Sequence, residues 1–244
     1  MPMAYSNAGY LKPQDMLMFK RLKTSAQQLF DYFTPCSLCD IGIKRHFGVC
    51  QSCWQQLPWL KQSIERHQQQ IFVACHYDYP IDRMIQQFKY EQKLQHQRLL
   101  SGLLLQLQLP KIHAIVPMPI STDRLAERGF NQALLLAQAI SKHLNVPIWQ
   151  PVQRLAQHSQ KGLSRLERLE NIEQQFIAAA PNQIRYRRVL IVDDVVTTGS
   201  SISALSEVLK QLGCQHIYSA CVAAAQIKHT RSFGAADTME SQLL

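Results

Sequence analysis

The sequence predicts an α/β protein with a mostly parallel sheet, helices on both faces, and a small four-cysteine module ahead of it. Three observations predict this. Strand-like apolar runs alternate with helical patterns from residue 71 to 225, as expected of βαβ units. Two CxxC pairs stand upstream at Cys36, Cys39, Cys50 and Cys53. The run Val189-Leu-Ile-Val-Asp193-Asp194-Val-Val-Thr197-Thr198-Gly199-Ser200-Ser201 then reads as a buried strand, an acidic pair and a hydroxyl-rich loop.

The chain has 244 residues, enough for one α/β domain with a small appendage, and 46% hydrophobic content excludes a disordered chain. Lys and Arg number 26 against 17 Asp and Glu, a net charge of +9 that suits phosphorylated or polyanionic partners. No apolar run approaches the roughly 20 residues a membrane span needs, and the N-terminus lacks a secretory pattern. Seven cysteines, three of them isolated in apolar surroundings, fit metal binding and buried thiols in a reducing compartment. The expected location is the cytoplasm.

Residues 1–34 read as a loose tail followed by a helix with Phe19, Leu22, Ala26, Leu29, Phe30 and Phe33 on one stripe. Residues 35–60 form the cysteine module. Each CxxC makes a tight knuckle, and two knuckles supply four thiolates for a closed, structural Zn²⁺ site; an Fe–S cluster also uses four cysteines, but this spacing favours zinc. His46 reads as a surface residue. A polar linker is expected after Trp59 as far as Gln70.

The main domain is expected over 71–227, with a tail at 228–244. Ile71 to Tyr77 reads as a strand. Ile81, Met84, Ile85 and Phe88 mark a helix, Leu94 to Leu109 a second helix, and Ile112 to Val116 another strand. Pro117 and Pro119 turn the chain into a loop at that strand's C-terminal end, since proline donates nothing to a ladder. Arg124 and Arg128 follow and could clamp a pyrophosphate. A helix spans Ala133 to Leu144. The basic stretch from Arg154 to Asn171, with Arg165 and Arg168, suits a loop that closes over substrate. Ile202, Leu205, Val208, Leu209 and Leu212 mark the helix after the hydroxyl loop, and Ile217 to Ala225 is the last strand.

The chemistry centres on that loop. Thr197, Thr198, Gly199, Ser200 and Ser201 present backbone N–H groups and hydroxyls at a helix N-terminus, where phosphate binds well. Asp193 and Asp194 repel phosphate but can accept hydrogen bonds from a sugar diol, directly or through Mg²⁺. Phosphate beside a diol describes a ribose 5-phosphate. The unit resembles the 5-phosphoribosyl-1-pyrophosphate (PRPP) loop of type I phosphoribosyltransferases. No Gly-Lys-Ser/Thr of a Walker loop is present.

More broadly, the chain resembles the ComF/GntX family. The resemblance rests on the two CxxC pairs, Phe88-Lys89-Tyr90, Val116-Pro-Met-Pro119, Arg128-Gly-Phe-Asn-Gln132, the Gln160–Asn171 stretch and Val192 to Ser201. Met118 and Ser201 stand where Val and Thr are usual. The resemblance implies a type I phosphoribosyltransferase-like fold behind a zinc-ribbon-like module, a cytoplasmic role in natural transformation, PRPP with Mg²⁺ as ligand, and handling of incoming single-stranded DNA. Lys89, Tyr90 and Phe130 are the candidate nucleic-acid contacts, and a helicase or DNA-translocation protein is a candidate partner. As an enzyme, such a protein would transfer ribose 5-phosphate from PRPP to a nitrogen acceptor and release pyrophosphate; no residue marks an acceptor site.

Overall fold

Thirteen elements order the described part of the computed structural model, which comprises residues 34–155, 176–179 and 186–225. The amphipathic stripe of 19–33, Arg165, Arg168 and the tail after Lys228 fall outside them. The elements are α1 (Gln51–Gln55), β1 (Trp59–Arg66), β2 (Gln69–His76), α2 (Ile81–Tyr90), α3 (His96–Leu104), β3 (Ala114–Pro117), α4 (Thr122–Arg128), α5 (Gln132–Leu144), β4 (Val152–Arg154), β5 (Phe176–Ala178), β6 (Arg188–Val196), α6 (Ser200–Gln211) and β7 (His216–Ala224).

The main sheet has the order β1-β2-β7-β6-β3. β2, β7, β6 and β3 run parallel, and only β1 is antiparallel, to β2. β6 and β7 are central and buried on both faces, which their runs of Val, Ile, Leu and Ala allow. Side chains alternate across the sheet. Leu190, Val192, Ala220 and Val222 pack toward α2, α3 and α5, whereas Val189, Ile191 and Cys221 pack with Ile202, Leu205 and Leu209 of α6. Helices therefore cover both faces.

Three expectations change. The segment after Trp59 is no linker but edge strand β1, whose half-exposed pattern explains its polar composition: an outer strand has little apolar surface to bury. The leucine-rich helix ends at Leu104 rather than Leu109, because Gln106 and Leu107 donate to Leu103 and Leu104 three residues back, tightening the chain into turns. The acidic pair does not follow the strand; it lies within β6, with Asp193 opposite Cys221 of β7. Pro117 closes β3, an edge strand where a missing donor is tolerated.

The cysteine module shares the core. Cys36, Val49, Cys50 and Leu57 belong to the same buried cluster as Leu99, Leu100 and Leu103. Phe47 lies so close to Gly102 of α3 that a methyl group there would overlap its ring.

Candidate functional site

Because β3 and β6 are parallel, their C-terminal ends open on one edge of the sheet, where α/β folds bind ligands. A cleft of about 520 Å³ lies there. Its floor holds Asp193 and Asp194; its walls come from the Met118–Ile120 loop, α4 and the end of α2.

Each part is held by local chemistry. The Met118–Ile120 loop is braced by Asn131, whose Nδ2 donates to Met118 O at 3.1 Å while its Oδ1 accepts from Leu134 N at 3.3 Å and caps α5. Pro119, on that loop, lines the cleft. α4 starts after Ser121 and stops at Gly129, which takes φ +78°, the left-handed conformation glycine permits. This short helix projects Arg124 and Arg128 into the cleft. Arg124 is exposed. The guanidinium of Arg128 sits 5.0 Å from the Tyr90 ring centre, and its Nη2 donates to the Tyr90 hydroxyl at 3.4 Å.

Strand alternation turns Asp194 toward α2. Its Oδ2 meets Lys89 Nζ at 2.9 Å, and its Oδ1 accepts from Val195 N at 2.7 Å. Asp193 Oδ1 accepts from Asp194 N at 2.9 Å. Burial, then the neighbouring Asp194 charge, push Asp193 up to about 7, against the pull of Lys89. Burial works against the Lys89 charge, yet Asp194 holds its pKa above the ordinary lysine value.

Beyond β6 the chain forms the hydroxyl loop. Gly199 takes φ +89° directly before α6, as its place in the loop requires. Thr198 Oγ1 and Ser200 Oγ are 2.9 Å apart, and Ser200 Oγ is 3.2 Å from His67 Nε2 in the β1–β2 turn. Thr197 and Thr198 are exposed. Ser201 reaches the cleft itself.

The structure thus brings together Asp193, Asp194, Ser201, Pro119, Arg124 and Arg128. Lys89, expected as a nucleic-acid contact, lies on the acidic pair. Tyr90 is 63% exposed at the rim, and Phe130 is half-buried against Phe88, with ring centres 5.5 Å apart. Arg154 of β4 lines the cleft too; its guanidinium lies 5.5 Å over the Phe176 ring, and burial and then Arg124 lower its pKa. Sequence reasoning placed Arg154 only within a basic stretch. His67 had no local signal.

The second site is the cysteine module. The sulfurs of Cys36, Cys39, Cys50 and Cys53 lie within 4.8 Å of one another. Cys36 Sγ accepts from Cys50 N at 3.2 Å and from Leu38 N at 3.4 Å. Backbone amides of Gly42 and Ile41 draw Cys39 down to about 6, whereas burial pushes Cys53 up. Four soft donors gathered in this way fit Zn²⁺.

Residues 131–238 match the phosphoribosyl transferase domain family, a span that contains the acidic pair and the hydroxyl loop. The chain is 34% identical over 210 residues to competence protein F of Haemophilus influenzae, covering 80% of this chain and 87% of that protein. It is 30% identical over 203 residues to DNA utilization protein YhgH of Escherichia coli K12, covering 78% and 83%. Competence protein ComFC of Bacillus subtilis is 31% identical over 103 residues, 42% of this chain and 40% of that one. The domain match and the mostly parallel sheet make this a type I phosphoribosyltransferase-like fold, with a cysteine cluster before it that can form a zinc module.

Proposed function

Since the chain belongs to the ComF family and carries a phosphoribosyltransferase domain, we propose that its cleft binds PRPP and that the protein handles incoming single-stranded DNA in the cytoplasm. One observation carries the ligand assignment. Asp193, Asp194 and Ser201 at the start of α6 line a single cleft, and Arg124 and Arg128 project into it from α4. That arrangement supplies sugar acceptors, phosphate donors and cations for a pyrophosphate.

Asp193 and Asp194 accept the ribose hydroxyls, Thr197 to Ser201 hold the 5-phosphate, and Arg124 and Arg128 neutralise the pyrophosphate, joined by Arg165 or Arg168. Two adjacent carboxylates are hard oxygen donors that fit Mg²⁺, which would add charge neutralisation at the pyrophosphate. The cysteine cluster would hold a structural Zn²⁺. For DNA, the net charge of +9 gives the electrostatic term, and exposed Tyr90 gives a ring for stacking.

Calorimetric titration of the zinc-loaded protein with PRPP and Mg²⁺ tests the ligand. Binding is expected, and Asp194→Asn should abolish it while the melting curve stays cooperative; unchanged affinity in that variant would overturn the assignment. Pyrophosphate release on adding a nitrogen acceptor would make the protein a transferase. Fluorescence anisotropy with single-stranded oligonucleotides should show sequence-tolerant binding that weakens with salt. No binding at low salt would remove the DNA role.

A further inference from the structure

The acidic pair already faces a cation of the chain's own. Lys89 comes from the last turn of α2, a helix anchored through buried Met84, Ile85 and Phe88. Its ammonium is therefore delivered by a fixed element, and it meets Asp194 Oδ2 at 2.9 Å. Asp194 is only 4% exposed, and its other oxygen is held by Val195 N. Both carboxylate oxygens thus have partners within the protein before any ligand arrives.

We propose that Lys89 is a resident counter-ion that competes with a divalent cation for the acidic pair, so that the ligand-free protein binds metal poorly. The proposal rests on the reading of Asp193 and Asp194 as the sugar- and metal-facing element. The ammonium 2.9 Å from Asp194 Oδ2 stands on the oxygen a metal ion would approach, so the two compete for it. Opposed charges this close interact strongly where water is scarce, and a second cation brought beside Lys89 meets the same force as repulsion. Arg124, Arg128 and Arg154 around the cleft add to that repulsion, and Glu127 on the same wall offsets only part of it. Mg²⁺ is commonly held by one or two carboxylates together with substrate phosphates. Phosphates arriving with the ligand offset the arginines, and the freed Lys89 ammonium then faces the cleft as a further cation for them. Lys89 is in this sense a positioning residue that couples metal entry to ligand entry.

The test needs no PRPP. Mn²⁺ is titrated by electron paramagnetic resonance into protein whose cysteine site is already zinc-loaded. Wild type and Lys89→Arg, which keeps the charge, should bind weakly. Lys89→Gln, which keeps a donor to Asp194 without the charge, should bind Mn²⁺ at least tenfold more tightly, and adding Asp194→Asn should erase the gain. Equal affinity of Lys89→Gln and wild type overturns the proposal, as does a gain in Lys89→Arg. Should Lys89→Gln not fold, amine-reactive labelling of wild type decides: Mn²⁺ should speed modification of Lys89, and no change overturns the competition. Failure of wild type to bind PRPP would sink the ligand assignment and leave these metal measurements standing.

Discussion

His67 Nε2 lies 3.2 Å from Ser200 Oγ, joining the turn of the β1–β2 hairpin to the hydroxyl loop 133 residues later. The same hairpin meets the loop at Gly199, where an added Cβ would fall 2.6 Å from Arg66 Cβ. Gly199 therefore serves two needs, its left-handed φ of +89° and the close approach of the hairpin.

Gly199→Ala should be the most disruptive single change in the loop. Left-handed backbone costs a non-glycine residue about 1–2 kcal/mol, and the overlap with Arg66 Cβ cannot be relieved by rotating a side chain. Chemical denaturation should show a loss of at least about 1–2 kcal/mol, with PRPP binding lost in parallel. His67→Ala removes one exposed hydrogen bond, a loss of about 1 kcal/mol or less, and should speed amide exchange at Ser200 and Ser201. A Gly199→Ala protein as stable as wild type would refute the packing argument.

Removing the Zn²⁺ proposed for the cysteine cluster should destabilise the whole chain rather than one lobe. Cys36 and Cys50 share a buried cluster with Leu99, Leu100 and Leu103, so loosening the knuckles uncovers apolar surface of that shared core. A strong chelator, or Cys36→Ser, should lower the melting temperature of a single transition, by roughly 2–4 °C for each 1 kcal/mol lost. Elemental analysis should find the metal released. Two separate transitions, one unaffected by chelation, would show that the module and the sheet are energetically independent.

Contiguous signals were the legible ones. Strand β6, the acidic pair and the hydroxyl loop occupy one stretch, and the cysteine spacing states its own geometry. Pairings made across the fold were not legible. Nothing near Lys89 indicates that Asp194 will take it, and nothing near His67 points to Ser200. Strand β1 was hidden because Trp59–Arg66 exposes much of its length and so lacks an apolar run. Helix α4 buries no residue and has no apolar stripe, although Ser121 before it and Gly129 after it are start and stop signals. The three-residue strands β4 and β5 are too short for a periodic pattern, yet β4 carries Arg154 to the cleft.

The acidic pair should also leave a signature in the pH dependence of stability. Asp193 titrates near 7 in the fold and near 3.9 when unfolded. Between these values the native state holds a proton that the unfolded chain has released, so stability falls as pH rises. The contribution is fully present below about pH 4 and lost by about pH 7. Asp193→Asn keeps the shape and cannot ionise. It should match wild type near pH 4 and be the more stable protein at pH 8, by up to about 4 kcal/mol. Ligand binding should run the opposite way in wild type. Ionised carboxylates accept hydroxyl hydrogen bonds and metal better than neutral ones, so PRPP affinity should rise from pH 6 to pH 8 while ligand-free stability declines. Denaturant melts of both proteins across this range, paired with titrations of wild type, measure both slopes. A flat stability difference between wild type and Asp193→Asn would show that Asp193 is already ionised in the ligand-free cleft, with Lys89 offsetting both carboxylates rather than Asp194 alone.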